Sequence, residues 1–249
     1  MPANYSLQLY SARNHPPINA TIAMIAKLGF TQVEGFGGVY GEPAKLRAVM
    51  DKHGIAMPTG HFGIDMLETE KKKTLSIAQT LGISKLICPY LMPNDRPTTA
   101  KGWKDFGKRL GALAETYRSA GFPLAWHNHD FEFAKFKDGS TPHEHLFDAA
   151  PLLDWEIDVA WVVRGKTNPL PFIKRYANAI TSVHIKDIAP KGENLDEDGW
   201  SDVGQGTVDW PKMLDALGGT RCTHFVLEHD NPSDIERFCK RSIAYLKKM

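Results

Sequence analysis

Cysteine and net charge are both scarce in this chain. Its 249 residues include only three cysteines, Cys88, Cys222 and Cys239, and no two of them have CxxC spacing. An odd number of such residues, partly within apolar segments, predicts buried free thiols in a reducing compartment rather than a disulfide framework. Thirty basic and 29 acidic residues leave a formal charge of +1, so no overall field attracts the chain to nucleic acid or to a membrane.

Targeting signals and a dinucleotide loop are also missing from the sequence. The N-terminus enters a strand-like run directly, without the basic and long apolar segments of a signal peptide. No stretch reaches transmembrane length. We therefore expect a cytoplasmic protein. The turn after the first predicted strand lacks the GxGxxG loop of dinucleotide folds, which disfavours a doubly wound open sheet.

Short apolar runs alternate along the chain with amphipathic segments. Eight of the runs predict strands, at 6–11, 31–37, 56–62, 85–91, 124–131, 154–161, 180–188 and 224–230. Apolar residues at helical spacing predict helices between them, including 18–29, 43–54 and 74–82, with a last helix at 232–249. Several helices end at a glycine that suits a C-cap, namely Gly29, Gly54, Gly82 and Gly121. This alternation predicts a single-domain α/β protein, a (β/α)8 TIM barrel spanning residues 1–249.

Groups that can bind a metal ion end four of the predicted strands. The fifth strand carries His127 and His129, the sixth Asp158, the seventh His184 and the eighth Glu228. In a parallel barrel all these strand ends meet at one face, where active sites lie. Side chains alternate along a strand, so outward packing of the apolar neighbours turns these groups toward the lumen. Any one of them could merely cap a strand, but together they predict a mixed His/carboxylate metal centre.

The same segments resemble the xylose-isomerase-like TIM-barrel superfamily, which includes sugar phosphate isomerases and epimerases. The resemblance covers nearly the whole chain and is carried by LGFTQVEGF, WHNHDFEF, DVAWVVRGKTNP, VHIKDI, VGQGTVDWP and LEHDNP. It implies one divalent cation, Mn²⁺, Mg²⁺, Co²⁺ or Zn²⁺, held by Glu, Asp, His and Glu from strands five to eight. Asp158, His184 and Glu228 match the last three of those positions.

The fifth strand departs from the family pattern. His127 stands where many epimerases of the superfamily have a metal-binding glutamate, and we take it as the fourth ligand, with His129 as the alternative. Of the two catalytic glutamates in those epimerases, only Glu228 then remains. The candidates for a second acid or base are His129, Glu132, Lys186 and His61. A bound cation near Lys186 would lower the pKa of its ammonium group.

The chemistry implied by the resemblance is removal of an α-proton from a keto-sugar or sugar derivative. The cation would polarise the carbonyl and the adjacent hydroxyl and stabilise the enediolate. Reprotonation would give isomerisation or epimerisation, which is our first prediction. Expulsion of a β-substituent would give a lyase, a hydratase or an elimination-type deglycosidase. The near-neutral charge disfavours a nuclease like the AP endonucleases of this barrel, and a non-catalytic barrel is a further alternative.

The expected partner is a small sugar substrate, with no nucleic-acid or membrane partner, and a homo-oligomer is possible for this superfamily. The candidate substrate-binding residues are Glu34, His61, Glu132, Trp161 and Arg164. Glu34 has an equal alternative as a capping or salt-bridge residue, His61 as a structural histidine, and Arg164 as a clamp on a loop carboxylate.

A phosphate site is conceivable in the glycine-rich segment 202–211, where Asp209 is a predicted helix N-cap and Pro211 lies just inside that helix. The preceding loop contains Asp196, Glu197 and Asp198, which would repel a phosphate. We therefore do not expect phosphate to be recognised there.

Overall fold

A computed structural model describes residues 5–15 and 17–249 of the chain. Eight parallel strands form a closed barrel with the order β1-β10-β7-β6-β5-β4-β3-β2. The barrel strands are β1 (Ser6–Gln8), β2 (Gln32–Gly35), β3 (Ala56–His61), β4 (Lys85–Cys88), β5 (Leu124–His127), β6 (Asp154–Asp158), β7 (Ile180–Ile185) and β10 (His224–Leu227). An antiparallel pair lies after β7, formed by β8 (Asp187–Ile188) and β9 (Trp200–Ser201). The predicted TIM-barrel fold is confirmed.

Helices follow the barrel strands around the outside. In the described part of the chain they are α1 (Ile18–Lys27), α2 (Pro43–Lys52), α3 (Ile64–Thr69), α4 (Lys71–Leu81), α5 (Ala100–Arg118), α6 (Pro142–Asp148), α7 (Val159–Arg164), α8 (Pro169–Arg175), α9 (Trp210–Leu217) and α10 (Ile235–Leu246). Gly29 and Gly82 follow α1 and α4 with φ angles of +88° and +78°. A residue with a Cβ would be strained in that left-handed conformation, so glycine allows the chain to leave each helix toward the next strand.

The predicted strands are all present, but each ends before the apolar pattern indicated, and for the fifth and the eighth this affects candidate site residues. Strand β5 ends at His127 instead of residue 131, and β10 ends at Leu227 instead of residue 230. Beyond His127 the chain enters a 3-10 turn at Asp130–Phe133. The polar residues of these segments therefore lie on short loops at the rim of the barrel, where their side chains can face a cavity.

Side-chain alternation separates the two faces of the strands as predicted. Trp126 of β5 packs outward with its ring centroid 5.5 Å from that of Phe106 on α5. Trp155 of β6 packs outward with its centroid 4.2 Å from that of His143 on α6. His127 and Glu156 are the next residues of these two strands and are paired in register, so they face the lumen. Apolar packing against the helices thus places the polar side chains inside the barrel.

The glycine-rich segment 202–211 is occupied by a carboxylate of the protein itself. Asp187 accepts hydrogen bonds from the backbone N–H groups of Gly204 at 2.9 Å, Gly206 at 3.3 Å and Val208 at 3.0 Å. These are the donors that a phosphate would need, so the conceivable phosphate site is already filled. Asp209 caps α9 as predicted, because its carboxylate accepts from the backbone N–H of Lys212 at 3.2 Å.

The structure bears on the cysteines and on membrane-spanning helices. The three cysteines are free thiols, with Cys88 and Cys239 buried and Cys222 partly buried. Within residues 5–15 and 17–249, no helix combines the length and apolar character needed to cross a membrane.

His143 is enclosed by aromatic rings between the barrel and α6. Its ring stacks on Phe133 and Phe147, with centroid distances of 5.2 and 4.5 Å. Neither ring nitrogen has a hydrogen-bond partner among the described residues. Burial lowers the pKa of His143 well below 6.5, so the folded protein holds a neutral imidazole there.

Replacing His143 with phenylalanine should reduce the pH dependence of stability. The unfolded chain takes up a proton at this histidine below about pH 6.5, whereas the folded protein does not. The corresponding stability is therefore complete above that pH and is lost as the pH falls, by up to about 1.4 kcal/mol per pH unit. Urea unfolding from about pH 7 to about pH 5 should show a shallower decline for His143→Phe than for the natural protein. Equal slopes would mean that His143 is protonated in the fold.

Candidate metal centre

Four side chains from different strands meet at the C-terminal end of the barrel. Ligand atoms of His127, Asp158, His184 and Glu228 all lie within 4.8 Å of one another, and we call these four residues the outer group. All four side chains are buried. His127 and Glu228 also line a cavity of about 680 Å³ that opens at this end. Small-molecule sites commonly have volumes of about 300–1,000 Å³, so this cavity can accommodate a small substrate.

Asp158 is the last residue of β6 and the N-cap of α7. One of its carboxylate oxygens caps the helix, and the other has no such role. Oδ1 accepts a hydrogen bond from the backbone N–H of Trp161 at 2.8 Å, which caps the helix. Oδ2 is buried without a hydrogen-bond partner among the described residues and lies 3.6 Å from Nζ of Lys186. Asp158 therefore keeps one oxygen available for a ligand.

Asn128, between the two histidines after β5, fixes the end of β6. Its Oδ1 accepts from Nε1 of Trp155 and from the backbone N–H of Asp158, both at 2.9 Å. Its Nδ2 donates to the backbone carbonyl of Asp158 at 3.0 Å. The amide thus pairs three groups that are buried and would otherwise lack partners, and it sets the position of a candidate ligand.

His184 lies between two carboxylates, one that follows the neighbouring strand β10 and one on β2, which does not neighbour β7. Nδ1 is 2.9 Å from Oε2 of Glu228 on the β10 side, and Nε2 is 2.7 Å from Oε1 of Glu34 on β2. Glu34 also accepts a hydrogen bond from Nε2 of Gln8 at 2.8 Å. Glu34 is fully buried beneath the cavity, where it orients His184 instead of forming part of the cavity wall.

Glu156 contacts His184 and two further histidines from deeper in the barrel. Its Oε2 lies 2.8 Å from Nε2 of His61, 3.1 Å from Nε2 of His184 and 3.3 Å from Nδ1 of His127. Sequence reasoning overlooked Glu156, although a signal was present. It precedes Asp158 by two residues in the same strand, and side-chain alternation places both in the lumen.

The pKa values in this cluster follow from buried carboxylates beside histidines. Burial alone would lower the pKa of His61, but Glu34 and Glu156 outweigh it and raise the pKa to about 9. The pKa of His184 is likewise raised well above 6.5 despite burial, by Glu156, Glu228 and Glu34. Burial and the neighbouring His184 lower the pKa of His127 to about 4. The cluster therefore attracts positive charge, and His127 is a neutral imidazole.

Lys186 lies in the lumen next to the outer group. Its Nζ is 2.7 Å from Oδ1 of Asp230, 3.0 Å from Oε2 of Glu228 and 3.6 Å from Oδ2 of Asp158. Burial opposes its charge, but these carboxylates prevail and raise its pKa above the usual value. The sequence predicted a lowered pKa for Lys186 beside a bound cation. The pKa is raised instead, because the three carboxylates stabilise the ammonium charge. Asp230, which sequence reasoning missed, follows Glu228 by two residues on the same face.

His129 lines the cavity but is not one of the four converging groups. Its ring centroid lies 4.8 Å from that of Tyr90 and 5.2 Å from that of Trp161, which forms another part of the wall. Burial and the neighbouring His127 and Lys186 lower the pKa of His129 well below 6.5. The geometry favours His127 over His129 as the ligand and leaves His129 as a neutral imidazole facing the cavity.

Glu132 and Arg164 do not reach the cavity. Glu132 is buried, and its oxygens accept from Nε1 of Trp126 at 3.0 Å and from the backbone N–H of His129 at 2.9 Å. Burial raises its pKa to about 8. Arg164 donates to the backbone carbonyl of Asp198 at 2.7 Å and stacks on Trp200. This placement argues against the predicted substrate contacts, since both residues support the loops that carry the site.

Tyr90 and Arg96, from the loop after β4, also line the cavity. The guanidinium of Arg96 lies 3.5 Å from the ring centroid of Phe131, and its Nε donates to the backbone carbonyl of Leu91 at 2.9 Å. Tyr90 lies within the predicted fourth strand, 85–91, and Arg96 lies beyond it, but neither is a typical metal ligand, so the search for ligands at strand ends did not select them.

A family model described as xylose isomerase-like TIM barrel matches residues 22–249 of the chain. The chain belongs to this family. A sugar phosphate isomerase/epimerase from Parabacteroides distasonis has a similar structure, with a TM-score of 0.80 at 20% identity over 98% of this chain and 93% of that one. The IolI protein with a bound zinc atom gives a TM-score of 0.77 at 16% identity, covering 98% of this chain and 95% of that one.

The probable 3-DHS dehydratase AsbF from Bacillus anthracis gives a TM-score of 0.74 at 14% identity, covering 98% of both chains. At such identities the likeness shows the fold alone. No curated protein matches the chain by sequence.

The residues of this xylose isomerase-like barrel fit a divalent cation. The outer group offers two imidazoles and two carboxylates, a donor set that suits first-row divalent metals. Oδ2 of Asp158 and Nδ1 of His127 are buried and lack hydrogen-bond partners among the described residues. A buried polar atom without a partner is costly, and a bound cation would remove that cost at Asp158.

Asn128→Ala should destabilise the barrel and weaken its hold on a metal. The substitution leaves Nε1 of Trp155 and the backbone N–H of Asp158 buried without an acceptor, at a cost of about 2–4 kcal/mol in the free energy of unfolding. Metal affinity should fall by about 10- to 100-fold, because Asp158 loses its support. Urea unfolding and metal titration would measure both. Asn178→Ala, at an exposed position, is the control, and an equally small change in Asn128→Ala would refute the role of Asn128.

Proposed function

We propose that this xylose isomerase-like barrel is a metal-dependent sugar isomerase or epimerase. It removes an α-proton from a keto-sugar or sugar derivative and returns a proton to the resulting enediolate. The observation that carries the proposal is the convergence of the outer group, within 4.8 Å, on the floor of an open cavity. A mixed set of imidazoles and carboxylates beside a substrate-sized cavity is typical of a catalytic metal site.

The outer group would hold one divalent cation. His127 supplies a neutral imidazole, Asp158 its free oxygen, and His184 an imidazole whose other nitrogen bonds a carboxylate. That carboxylate contact fixes the orientation of the ligand ring. When bound, the cation supplies Lewis-acid polarisation of the substrate carbonyl and of the adjacent hydroxyl oxygen.

The protein places both proton acceptors and a proton donor next to the outer group. The pKa of Glu228 lies well below its usual value despite burial, because Lys186 and His184 stabilise the carboxylate. His129 is neutral for the reasons given above. Both can accept a proton, whereas Lys186 carries one and can donate it. Glu228 and His129 therefore serve as candidate bases and Lys186 as the candidate acid.

The walls of the cavity suit a sugar. Trp161 and Tyr90 present aromatic faces, and His61 presents an imidazole whose orientation is fixed by Glu156 and Glu34. Aromatic surface packs against the C–H face of a sugar ring, and the fixed polar groups bind its hydroxyls. His61 and Trp161 therefore remain the proposed substrate contacts.

A lyase, hydratase or elimination-type deglycosidase on the same substrate class is the second candidate. It is favoured by the histidine at position 127, because only one carboxylate of the two-glutamate epimerase scheme remains in the outer group. It is also favoured by Lys186, a charged acid in the lumen that can protonate a leaving group. The fold likeness to a probable dehydratase is compatible with this alternative.

Metal content tests the ligand assignment. Asp158→Ala and His184→Ala should each bind less than a tenth of the Mn²⁺ held by the natural protein, because each removes one of the four donors. His127→Ala should lose Mn²⁺ and His129→Ala should retain it. Elemental analysis after dialysis would measure the ratio of metal to protein. Asp130→Ala, at an exposed cavity residue outside the outer group, is the matched control, and full Mn²⁺ retention in Asp158→Ala would exclude the proposed centre.

Proton exchange tests the chemistry. A set of keto-sugars and ketoglycosides, incubated in D₂O with Mg²⁺, should include one substrate that acquires deuterium at its α-carbon by NMR. Lys186→Met should keep the metal but slow this exchange by about 10²- to 10⁴-fold, as loss of a general acid does. Lys191→Met, at an exposed lysine of the following loop, should not change it.

The outcomes separate the candidates. Exchange without loss of a substituent supports the isomerase or epimerase, and release of a leaving group supports the lyase. An unchanged exchange rate in Lys186→Met would exclude Lys186 as the acid.

A further inference from the structure

A second set of ligand atoms lies beneath the outer group. It consists of His61, His127, Glu156 and His184, whose ligand atoms again lie within 4.8 Å of one another, and we call it the inner group. Its histidines come from β3, β5 and β7, and its glutamate from β6. The two groups share His127 and His184. The proposed function requires only the outer group, so the inner group needs an explanation of its own.

The inner group is more compact than a set of chance neighbours would be. One oxygen, Oε2 of Glu156, is within 3.3 Å of a nitrogen from each of the three histidines. Glu34 adds a fifth donor, since its Oε1 lies 3.0 Å from Nε2 of His61 and 2.7 Å from Nε2 of His184. Three imidazoles and the Glu156 carboxylate therefore face one point, and Glu34 contacts two of those imidazoles.

Two carboxylate oxygens in and beside the inner group lack partners. Oε1 of Glu156 and Oε2 of Glu34 are buried and make no hydrogen bond within the described residues. Glu34 and Glu156 are completely buried. Among the residues that the structure describes, no lysine or arginine forms an ion pair with either of them, whereas Lys186 pairs with both carboxylates of the outer group. Two buried carboxylates whose ion-pair partners among the described residues are all histidines require a positive charge.

We propose that the inner group is a second cation position, which binds Zn²⁺ or Co²⁺. Its donor set has three imidazoles, and nitrogen donors favour these ions over Mg²⁺ and Mn²⁺. The outer group has two carboxylates, whose oxygens suit Mg²⁺ and Mn²⁺ better. The metal supplied therefore selects the position that is filled.

The two positions are filled one at a time because they share His184. Its Nε2 faces Glu34 and Glu156, and its Nδ1 faces Glu228. A neutral imidazole has one nitrogen lone pair for a metal and one N–H to donate. An ion in the inner position leaves Nδ1–H to bond Glu228, and an ion in the outer position leaves Nε2–H to bond Glu34. Either carboxylate is in place to support the ligand ring.

The test removes the donors that belong to only one group. Asp158→Asn/Glu228→Gln lacks the outer carboxylates and should still bind one Zn²⁺ per chain but no Mn²⁺. The matched variant Glu156→Gln lacks the carboxylate that contacts all three histidines of the inner group but keeps Glu34, which supports His184, and its Zn²⁺ affinity should fall at least about tenfold more than its Mn²⁺ affinity. Elemental analysis and the visible spectrum of bound Co²⁺ are the measurements. Loss of Zn²⁺ from folded Asp158→Asn/Glu228→Gln would overturn the inner position.

X-ray absorption of the Zn²⁺-loaded natural protein gives an answer even when a variant fails to fold. Three imidazoles in the first coordination shell support the inner position, and two refute it. Failure of the proposed function is distinguishable, because it would appear as a natural protein that binds Zn²⁺ with three imidazoles yet never binds Mn²⁺ and exchanges no substrate proton. Mn²⁺ binding and exchange without a three-imidazole Zn²⁺ site would refute only the inner position.

Discussion

His184 contacts Glu228 through one ring nitrogen and Glu34 through the other. The first contact joins the neighbouring strands β7 and β10, and the second reaches across the lumen to β2. Neither carboxylate is near His184 along the chain, since Glu34 precedes it by 150 residues and Glu228 follows it by 44. The Glu228 contact follows from the pairing of β7 with β10, whereas the Glu34 contact exists only because β2 and β7 belong to one closed ring. Strand closure thus places buried acids around a histidine, and the properties of the site depend on the charge balance that results.

Placing these acids in the lumen is costly unless positive charge accompanies them. The barrel meets this requirement at two depths. Near the mouth, Lys186 pairs with Glu228, Asp230 and Asp158. Deeper in the lumen, the ion-pair partners of Glu34 and Glu156 among the described residues are histidines, and these carboxylates raise the pKa values of His61 and His184. Both arrangements attract a cation, and they differ in the balance of nitrogen and oxygen donors. This difference underlies the proposed division between two metal positions.

The apolar surroundings of the site are as important as its charges. Trp126 and Trp155 pack outward, and their ring N–H groups bond Glu132 and Asn128, which in turn hold the backbone of His129 and Asp158. The packing of the outer layer is therefore coupled to the position of the cavity residues. A rigid support of this kind keeps ligands and acid/base groups in fixed relative positions, which metal-assisted proton transfer requires.

Much of this arrangement could be predicted from the sequence. The alternation of apolar runs and amphipathic segments specified the barrel, because strand and helix periods differ and each βα unit must bury one face. The same alternation within strands placed His127, Asp158, His184 and Glu228 in the lumen. The alternation rule applied equally to Glu156 and Asp230. They were overlooked because each lies two residues from a candidate ligand that already had a role, Asp158 or Glu228.

Only the tertiary structure decided what these side chains contact. Glu132 and Arg164 follow strands, as the cavity residues do, yet they turn into the surrounding loops, since a 3-10 turn and the stacking on Trp200 direct them there. Asp187 filled the glycine-rich segment, which a local motif could not reveal. The sequence by itself determined the barrel and the inward direction of its polar residues, because both depend on local periodicity. The pairing of His184 with Glu228 depends on which strands become neighbours, and its pairing with Glu34 depends on barrel closure, so the charge of the site is fixed only in the folded barrel.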